Sequence, residues 1–334
     1  MRNIITHCGR ERPWPSLTRM RRTVIGAVVA AVVVLAGCGG GAGSAAPTGA
    51  GVPSGSPTAT TSAGSIVDVR PQQVATRDGT VSYRSTGSGP TLLLIMGFGG
   101  TMDAWDPTFV DALARTHRVI TFDNAGVGRT SPLPSPLTIT AMADQTAAFV
   151  QALHVAKVDV LGWSMGGMIA QALTVTHPAL VDHLVLCATL PGDGHATFPS
   201  AAVTAKLANA ATDPTALLSV LFPSTAADAQ NSYLAAITSY PDFATPSAAA
   251  LAQQGQALAS WTTGQEPAGT KIATISAPTF VADGTEDQLA PSANSTTLTH
   301  TITGATLVLY PQAGHAFLFQ DEAAFVPAVA AFLG

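Results

Sequence analysis

The run from Val160 to Gly167 reads Val-Leu-Gly-Trp-Ser-Met-Gly-Gly, and this run determines the fold class of the chain. Its apolar first half is typical of a buried strand, and the residues after Ser164 favour a helix. Gly162 and Gly166 flank the serine, where the backbone has to turn sharply from strand to helix. Such a turn projects the serine hydroxyl into open space, so Ser164 is the candidate nucleophile.

Short apolar runs on both sides of this turn predict strands that are covered on both faces. Asp78-Gly79, in the centre of the run from Val74 to Tyr83, predicts a hairpin before them. Helices are predicted between the strands: one with an apolar face from Met142 to Leu153 and Thr140 as its N-cap, another from Ser164 to His177. The predicted strands are Thr91–Met96, Arg118–Asp123, Lys157–Leu161, His183–Cys187, Pro278–Ala282 and Thr306–Tyr310.

This order of elements predicts an α/β fold with a mostly parallel, doubly wound sheet of about eight strands. The alternation stops between residues 191 and 275, a stretch rich in Ala, Thr and Ser with scattered aromatic residues. We interpret residues 191–275 as a helical cap inserted into a core of residues 66–190 and 276–334. The alternative is an ordinary run of surface helices. A cap at this position would cover the carboxyl edge of the sheet, where ligands bind in such folds.

A serine hydroxyl needs a base within hydrogen-bond reach and an acid that orients the base. His315 follows the last predicted strand directly, whereas the other histidines lie at strand borders, near helix ends or in loops without a motif. Asp287 follows the preceding strand and is favoured over Asp283, which ends that strand, and over Glu286, which is expected to face solvent. The order Ser164, Asp287, His315 therefore predicts a nucleophile, an orienting acid and a general base.

The tetrahedral intermediate of acyl transfer also needs hydrogen-bond donors for its oxyanion. The backbone N–H of Met165, at the start of the predicted helix, is the first candidate. The second is the backbone N–H of Phe98, in the glycine-rich loop Gly97-Phe-Gly-Gly100 after the first core strand. No metal ion or other cofactor is expected for this chemistry.

Three of these motifs together resemble the α/β-hydrolase superfamily, in its branch of lidded esterases, haloperoxidases and C–C hydrolases. They are Leu161-Gly-Trp-Ser-Met-Gly-Gly-Met-Ile-Ala-Gln171, Gly284-Thr-Glu-Asp-Gln-Leu-Ala-Pro291 and Ala313-Gly-His-Ala-Phe317, and the likeness extends from about residue 74 to the C-terminus. Two positions depart from the family. Met96 stands where a histidine often braces the oxyanion loop, and Ala125 stands where an arginine is usual. A serine at the elbow disfavours dehalogenase and epoxide hydrolase chemistry, for which the family uses an aspartate.

The N-terminal region predicts export and a lipid anchor. Arg21-Arg22 precedes an apolar run from Thr23 to Ala36, which is shorter than the approximately 20 residues of a membrane-spanning helix. Leu35-Ala-Gly-Cys38 resembles the lipobox of bacterial lipoproteins, so residues 1–37 are predicted as a signal peptide, with 1–19 a possible start-site artefact. Cys38 is the predicted lipid attachment site, at the outer face of the cytoplasmic membrane. Residues 38–65 have the composition of a flexible linker.

Charge and cysteine content exclude two other classes of protein. Six of the 15 basic residues but only one of the 20 acidic residues precede Cys38, so a chain that begins there keeps nine basic and 19 acidic residues, a net charge of −10. Such a balance argues against a nucleic-acid partner. Of the three cysteines, Cys8 would be removed and Cys38 acylated, which leaves Cys187 in a predicted buried strand and no disulfide framework.

These observations predict a serine-nucleophile hydrolase of small, largely apolar carboxylic esters. The same three residues would also serve C–C bond hydrolysis, amide or peptide hydrolysis, perhydrolysis or acyl transfer. Two further alternatives are a non-catalytic ligand-binding lipoprotein and a structural component of the cell envelope. The expected partners are a small-molecule substrate and, through Cys38, the membrane.

Overall fold

The computed structural model describes residues 64–209, 214–241 and 243–334. Their strands are β1 (Gln72–Thr76), β2 (Gly79–Thr86), β3 (Thr91–Ile95), β4 (Arg118–Phe122), β5 (Val158–Trp163), β6 (Val181–Cys187), β7 (Thr279–Gly284) and β8 (Thr306–Tyr310). All eight form one sheet in the order β1-β2-β4-β3-β5-β6-β7-β8. β2 pairs antiparallel with β1 and β4, and the other pairs are parallel. The predicted α/β fold and mostly parallel sheet are confirmed.

The α-helices of the described residues lie between and after these strands. They are α1 (Pro107–Leu113), α2 (Ile139–Ala152), α3 (Met165–Thr176), α4 (Ala201–Asn209), α5 (Pro214–Leu221), α6 (Ala227–Ile237), α7 (Ala248–Thr262), α8 (Ala293–Thr301), α9 (Phe317–Gln320) and α10 (Glu322–Leu333). The helix predicted after Ser164 is α3, and it ends before His177-Pro178 because the residue before a proline disfavours helical backbone.

Alternation along the strands divides the core into two layers. Leu92 and Leu94 of β3 pack on one face of the sheet in a cluster with Phe109 of α1 and Phe325 of α10. Leu93, the residue between them, packs on the opposite face, in a cluster that contains side chains of α2, α3 and α8. Successive side chains of a strand point to opposite faces, so a continuous apolar run buries both of its faces. The sheet is therefore covered by helices on both sides.

The N-cap predicted for α2 is wrong by two residues. The hydroxyl oxygen of Thr138 accepts a hydrogen bond from the Ala141 N–H at 3.0 Å, in extended backbone ahead of the helix. Thr140 lies in the first turn, where its hydroxyl donates to Glu266 Oε2 at 2.7 Å. That carboxylate also accepts the N–H groups of Ile139 and Thr140, at 3.0 and 2.8 Å. The competing partner is over 100 residues away in sequence, so no local pattern indicates it.

Helices α4–α7 all lie between β6 and β7, the interval in which the sequence predicts a cap. We refer to residues 188–278 as the β6–β7 segment; within it, strands are absent from the described residues. Cys187 is a free, buried residue of β6, as predicted. Cys38, the predicted signal peptide and residues 39–63 of the predicted linker lie outside the described residues. Across the part of the chain that the structure describes, none of the helices is long and apolar enough to cross a bilayer.

Candidate active site

Ser164 occupies a strained backbone position between β5 and α3. Its φ and ψ are 58° and −123°, a region that residues other than glycine rarely adopt. Its N–H donates to the Cys187 carbonyl of β6 at 2.9 Å, and its own carbonyl accepts from Thr189 Oγ1 at 2.6 Å. These contacts hold a conformation that costs on the order of 1–3 kcal/mol. The strain keeps the hydroxyl at the end of the strand.

The glycines around Ser164 are required by close packing. A Cβ on Gly166 would collide with the Ile95 carbonyl of β3, and a Cβ on Gly162 would collide with the Gly166 carbonyl. Neither glycine has a positive φ; the residue that does is Ser164 itself. The sequence pattern assigns the sharp turn to these glycines, whereas the structure shows that they allow close packing. The glycines let the start of α3 approach β3, and the serine makes the turn.

His315 and Asp287 form a buried hydrogen-bonded pair. His315 Nδ1 and Asp287 Oδ2 are 2.7 Å apart, and the two side chains are 2% and 0% exposed. Asp287 Oδ1 accepts the N–H groups of Leu289 and Ala290 at 2.7 and 2.8 Å. A carboxylate that accepts backbone N–H groups in this way is an acceptor for the ring as well, so the proton belongs on Nδ1. Nε2 is then the nitrogen that can take a proton.

Backbone contacts fix the loop that carries His315. Its carbonyl accepts a hydrogen bond from Trp163 Nε1 at 2.9 Å, and the Trp163 and His315 rings lie 5.5 Å apart. The next N–H, of Ala316, donates to the Leu221 carbonyl at the end of α5 at 3.0 Å. The residue before Ser164 therefore also holds the histidine loop, which links the two predicted site residues through β5.

Asp283 lies behind this pair and is fully buried. Its carboxyl accepts hydrogen bonds from Ser295 Oγ at 2.7 Å and from the Gly284 N–H at 2.8 Å. Burial, and secondarily the charge of Asp287, raise the pKa of Asp283 well above its ordinary value, which favours its protonated form. The two carboxyl groups thus differ: Asp287 bonds to the histidine, and Asp283 supports the strand end.

The loop after β3 lies against the nucleophile. A Cβ on Gly97 would be 3.1 Å from Ser164 Cβ and 3.2 Å from the Trp163 carbonyl, so only a bare backbone fits there without displacement. Within the described chain, the N–H groups of Phe98 and Met165 have no hydrogen-bond partner. Both residues were predicted as oxyanion donors, and both have a free N–H next to the Ser164 turn.

Two core residues that the sequence did not single out brace this loop. Asn124 Nδ2 donates to the Met96 carbonyl at 2.8 Å, and Asp123 Oδ1 accepts the Met102 N–H at 2.9 Å. Asp123 Oδ2 also accepts the Arg129 N–H at 3.1 Å. Burial raises the pKa of Asp123 to about 6. These contacts stabilise the loop from below, where Met96 replaces the histidine that is usual in the resembling family.

An apolar cavity of about 340 Å³ opens between the sheet edge and the β6–β7 segment. Ser164 and His315 both line it, together with the loop from Met96 to Thr101. Leucines of α4, α5 and α7 form much of its wall: Leu207, Leu217, Leu221 and Leu258. Among the described residues that line it, there is no Asp, Glu, Lys or Arg side chain. Phe198, which is 55% exposed, lies at the lining as well.

The comparison with protein families matches residues 90–322 to the family described as alpha/beta hydrolase fold. The match includes the three predicted site residues and covers more than half of the chain. The chain belongs to the α/β-hydrolase fold family.

The proteins to which this chain is similar differ in the reactions that their names give. "Putative carbamate hydrolase RutD" of Caulobacter sp. (strain K31) is 29% identical to this chain over 268 residues, which are 77% of this chain and 98% of that protein. "Putative non-heme bromoperoxidase BpoC" of Mycobacterium tuberculosis is 44% identical, but over 110 residues, which are 33% of this chain and 42% of that protein. An α/β-hydrolase fold protein from Chitinophaga pinensis superposes with a TM-score of 0.72 at 26% identity, over 81% of this chain and 99% of the other.

One group of candidate metal ligands lies at the opposite edge of this α/β-hydrolase sheet. Asp159, Asp182 and His183, at the amino ends of β5 and β6, have ligand atoms within 4.8 Å of one another. His183 Nδ1 already bonds to Asp159 Oδ1 at 2.7 Å, and Lys157 Nζ forms an ion pair with Asp182 at 3.0 Å. Because Lys157 supplies the positive charge, this group is explained as a network of hydrogen bonds and ion pairs.

Proposed function

We propose that this α/β-hydrolase is a serine-nucleophile hydrolase of neutral, largely apolar carboxylic esters. The observation that carries the proposal is the buried His315–Asp287 pair beside a cavity that Ser164 also lines. Acyl transfer needs a reactive hydroxyl, a histidine base with one ring nitrogen bonded to an acid, and free N–H donors for the oxyanion.

The reaction follows from these positions. Ser164 Oγ attacks the ester carbonyl while His315 Nε2 takes its proton, and Asp287 stabilises the imidazolium that forms. The N–H groups of Phe98 and Met165 donate to the oxyanion of the tetrahedral intermediate. The alcohol leaves with the proton of His315, and a water molecule, deprotonated by the same ring, then releases the acid from Ser164. No metal or cofactor takes part in these steps.

The character of the cavity supports the proposed substrate class. An acyl group placed against Leu207, Leu217 and Leu258 exchanges water for hydrocarbon, worth about 25 cal/mol per Å² of apolar surface. A carboxylate in the same place would lose its hydration without a cationic partner among the described lining residues, which costs several kcal/mol. The proposal therefore favours uncharged acyl chains longer than acetyl.

A matched pair of substrates tests this class. The p-nitrophenyl ester of pentanoic acid and the p-nitrophenyl monoester of succinic acid have acyl groups of similar length, but only the second carries a carboxylate. We expect kcat/KM to favour the pentanoate by at least about a hundredfold at neutral pH. Equal values of kcat/KM would contradict the proposal that the cavity lining disfavours a charged acyl group. Amide, carbamate, diketone and peroxide arms identify the alternative reactions, carbamate because the name of one relative includes it.

A fluorophosphonate probe tests the nucleophile. We expect an adduct on the parent protein, no adduct on Ser164→Ala, and an unchanged adduct on Ser219→Ala, whose exposed hydroxyl bonds only to its own helix. A parent protein without an adduct, or a Ser164→Ala variant that keeps it, would overturn the proposal in favour of a non-catalytic ligand-binding protein.

We also propose that the enzyme is exported and anchored to the outer face of the cytoplasmic membrane through a lipid on Cys38. The support is the sequence from Leu35 to Cys38 behind a basic and then an apolar segment. The 27 residues from 39 to 65 have a root-mean-square reach of roughly 30 Å, which holds a folded domain clear of the lipid headgroups.

A further inference from the structure

One contact joins the β6–β7 segment to the loop that carries the Phe98 N–H. Gln254 lies on α7 and is fully buried, and its Oε1 accepts a hydrogen bond from the Gly99 N–H at 2.8 Å. The two residues are 155 positions apart in sequence. Gly255 and Leu258 of the same helix line the cavity. Helix α7 is therefore both a wall of the cavity and a support of the loop.

The contact removes a conformational freedom that the loop would otherwise have. Gly100 donates to the Gly97 carbonyl at 3.3 Å, so the loop is a tight turn, and Gly99 within it has φ of +66°. Glycine adopts either sign of φ at low cost, so peptide groups beside it reorient easily. With the Gly99 N–H bonded to Gln254, the peptide beside it is held in place, and the Phe98 N–H stays free among the described residues.

The side-chain amide of Gln254 carries an energetic cost of its own at this position. Gln254 Nε2 is buried and has no hydrogen-bond partner within the part of the chain that the structure describes. Leaving such a group unsatisfied costs about 1–3 kcal/mol. A methionine of similar length would fill the same space without an unpaired Nε2, but it would leave the Gly99 N–H without its acceptor. What the methionine lacks is the carbonyl that accepts from Gly99.

We propose that Gln254 is a positioning residue. Through it, the geometry with which the Phe98 loop binds the oxyanion depends on the position of α7. The inference rests on the proposed function, because it assigns Phe98 to the oxyanion. Asn124 fixes the start of the loop from the core, at the Met96 carbonyl. Gln254 fixes its turn from the β6–β7 segment. A displacement of α7 releases the turn and lowers the stabilisation of the transition state while the apolar acyl site stays in place.

A Gln254→Met variant tests this positioning. A trifluoromethyl ketone with a pentyl chain adds Ser164 Oγ to its carbonyl and forms an oxyanion, whereas the corresponding alcohol occupies the same cavity without forming one. We expect the variant to bind the ketone about tenfold to a hundredfold more weakly and the alcohol within about twofold of the parent. For the pentanoate ester, kcat should fall by a similar factor with KM nearly unchanged.

Gln145→Met is the matched control. Gln145 is a buried glutamine of α2 whose amide donates to the Ser131 carbonyl, away from the loop. It should keep the parent ratio of ketone to alcohol affinity even where its Tm falls. Gln254→Ala removes the same amide without filling its space and should show the same selective loss, so a folding defect peculiar to methionine does not decide the result.

Two outcomes overturn the inference, and they are distinguishable from failure of the proposed function. Unchanged ketone affinity in both Gln254 variants removes the positioning role while the hydrolase remains. Parallel loss of ketone and alcohol affinity assigns Gln254 to the shape of the cavity. A parent protein that neither binds the ketone nor hydrolyses esters overturns the proposed function, and the inference with it.

Discussion

His315 Nδ1 lies 2.7 Å from Asp287 Oδ2, and solvent is excluded from both side chains. An Asp287→Asn variant keeps the shape but replaces the acceptor with an amide that can present an N–H to the ring. The ring is then stabilised in the wrong tautomer, with the proton on Nε2, where it cannot accept from Ser164. We expect kcat for ester hydrolysis to fall by about 10³- to 10⁴-fold. The measurement is steady-state turnover of the pentanoate ester with fluorophosphonate labelling in parallel.

Glu286→Gln is the control for this change. Glu286 is the exposed neighbour of Asp287, and its backbone N–H donates to the Ala313 carbonyl in the turn before His315. The substitution leaves that backbone bond in place, so turnover should stay within about twofold of the parent. If Glu286→Gln lost activity and Asp287→Asn kept it, the orienting acid would be Glu286.

A second prediction separates steric from conformational effects at glycines. In Gly166→Ala the new Cβ collides with the Ile95 carbonyl of β3, so α3 must move away from the strand that leads into the oxyanion loop. Gly304→Ala has open space around the new Cβ but a φ of +81°, which costs about 1–2 kcal/mol. We expect Gly166→Ala to lose both thermal stability and activity, and Gly304→Ala to lose stability alone. Equal activity in the two variants would contradict the packing argument.

The fold could be predicted from the sequence, and so could the position of Ser164, Asp287 and His315 at one edge of the sheet. Both predictions depend on local sequence patterns. Each of the three follows an apolar run, and parallel strands end at the same edge of a sheet. The class of reaction follows from residue types at those ends. The substrate does not, because the cavity wall is assembled from loops and from helices α3–α7, whose relative packing no local pattern specifies.

The contacts that the sequence analysis missed have one property in common: the two partners are far apart in sequence. Thr140 was predicted as an N-cap because no pattern near position 140 indicates that its hydroxyl bonds to Glu266. Gln254 stands in a run with Gln253 and Gln256, and nothing local distinguishes the glutamine that reaches Gly99. Both of these polar side chains contact residues more than 100 positions away, so a local pattern does not indicate them. Apolar periodicity, in contrast, is visible within a single helix or strand.

A third prediction concerns pH. Burial raises the pKa of Asp123 to about 6, from 3.8, so between these values the folded chain binds a proton that the unfolded chain has lost. Folding stability from this group is therefore complete below about pH 4 and declines as pH rises to about 6. At about 1.4 kcal/mol per pKa unit the decline is about 3 kcal/mol in total.

An Asp123→Asn variant isolates this contribution, because it keeps the side-chain shape but does not titrate. The free energy of unfolding from urea titrations should fall between pH 4 and 6 in the parent relative to the variant, and the difference should be constant above pH 7. The variant is also expected to be less stable overall, since an amide oxygen replaces only one of the acceptors for Met102 and Arg129. If the free energy of unfolding of the parent instead rose relative to that of the variant between pH 4 and 6, Asp123 would be ionised throughout this range.

The last prediction concerns the proposed lipid anchor on Cys38. Acylation of a cysteine needs its thiol, and two acyl chains or more hold a protein at a bilayer far more firmly than one. We expect the parent protein to incorporate labelled palmitate in a bacterial host that processes lipoproteins and to sediment with membranes. Cys38→Ser should take up no label and should lose the sedimentation, whereas Cys187→Ser, which changes the buried thiol of β6, should keep both. Membrane association that survives Cys38→Ser, with no label on the parent, would exclude the lipid anchor. Ester turnover of a released domain should equal that of the anchored protein, because Ser164, Asp287 and His315 all lie within the described residues, which begin at residue 64.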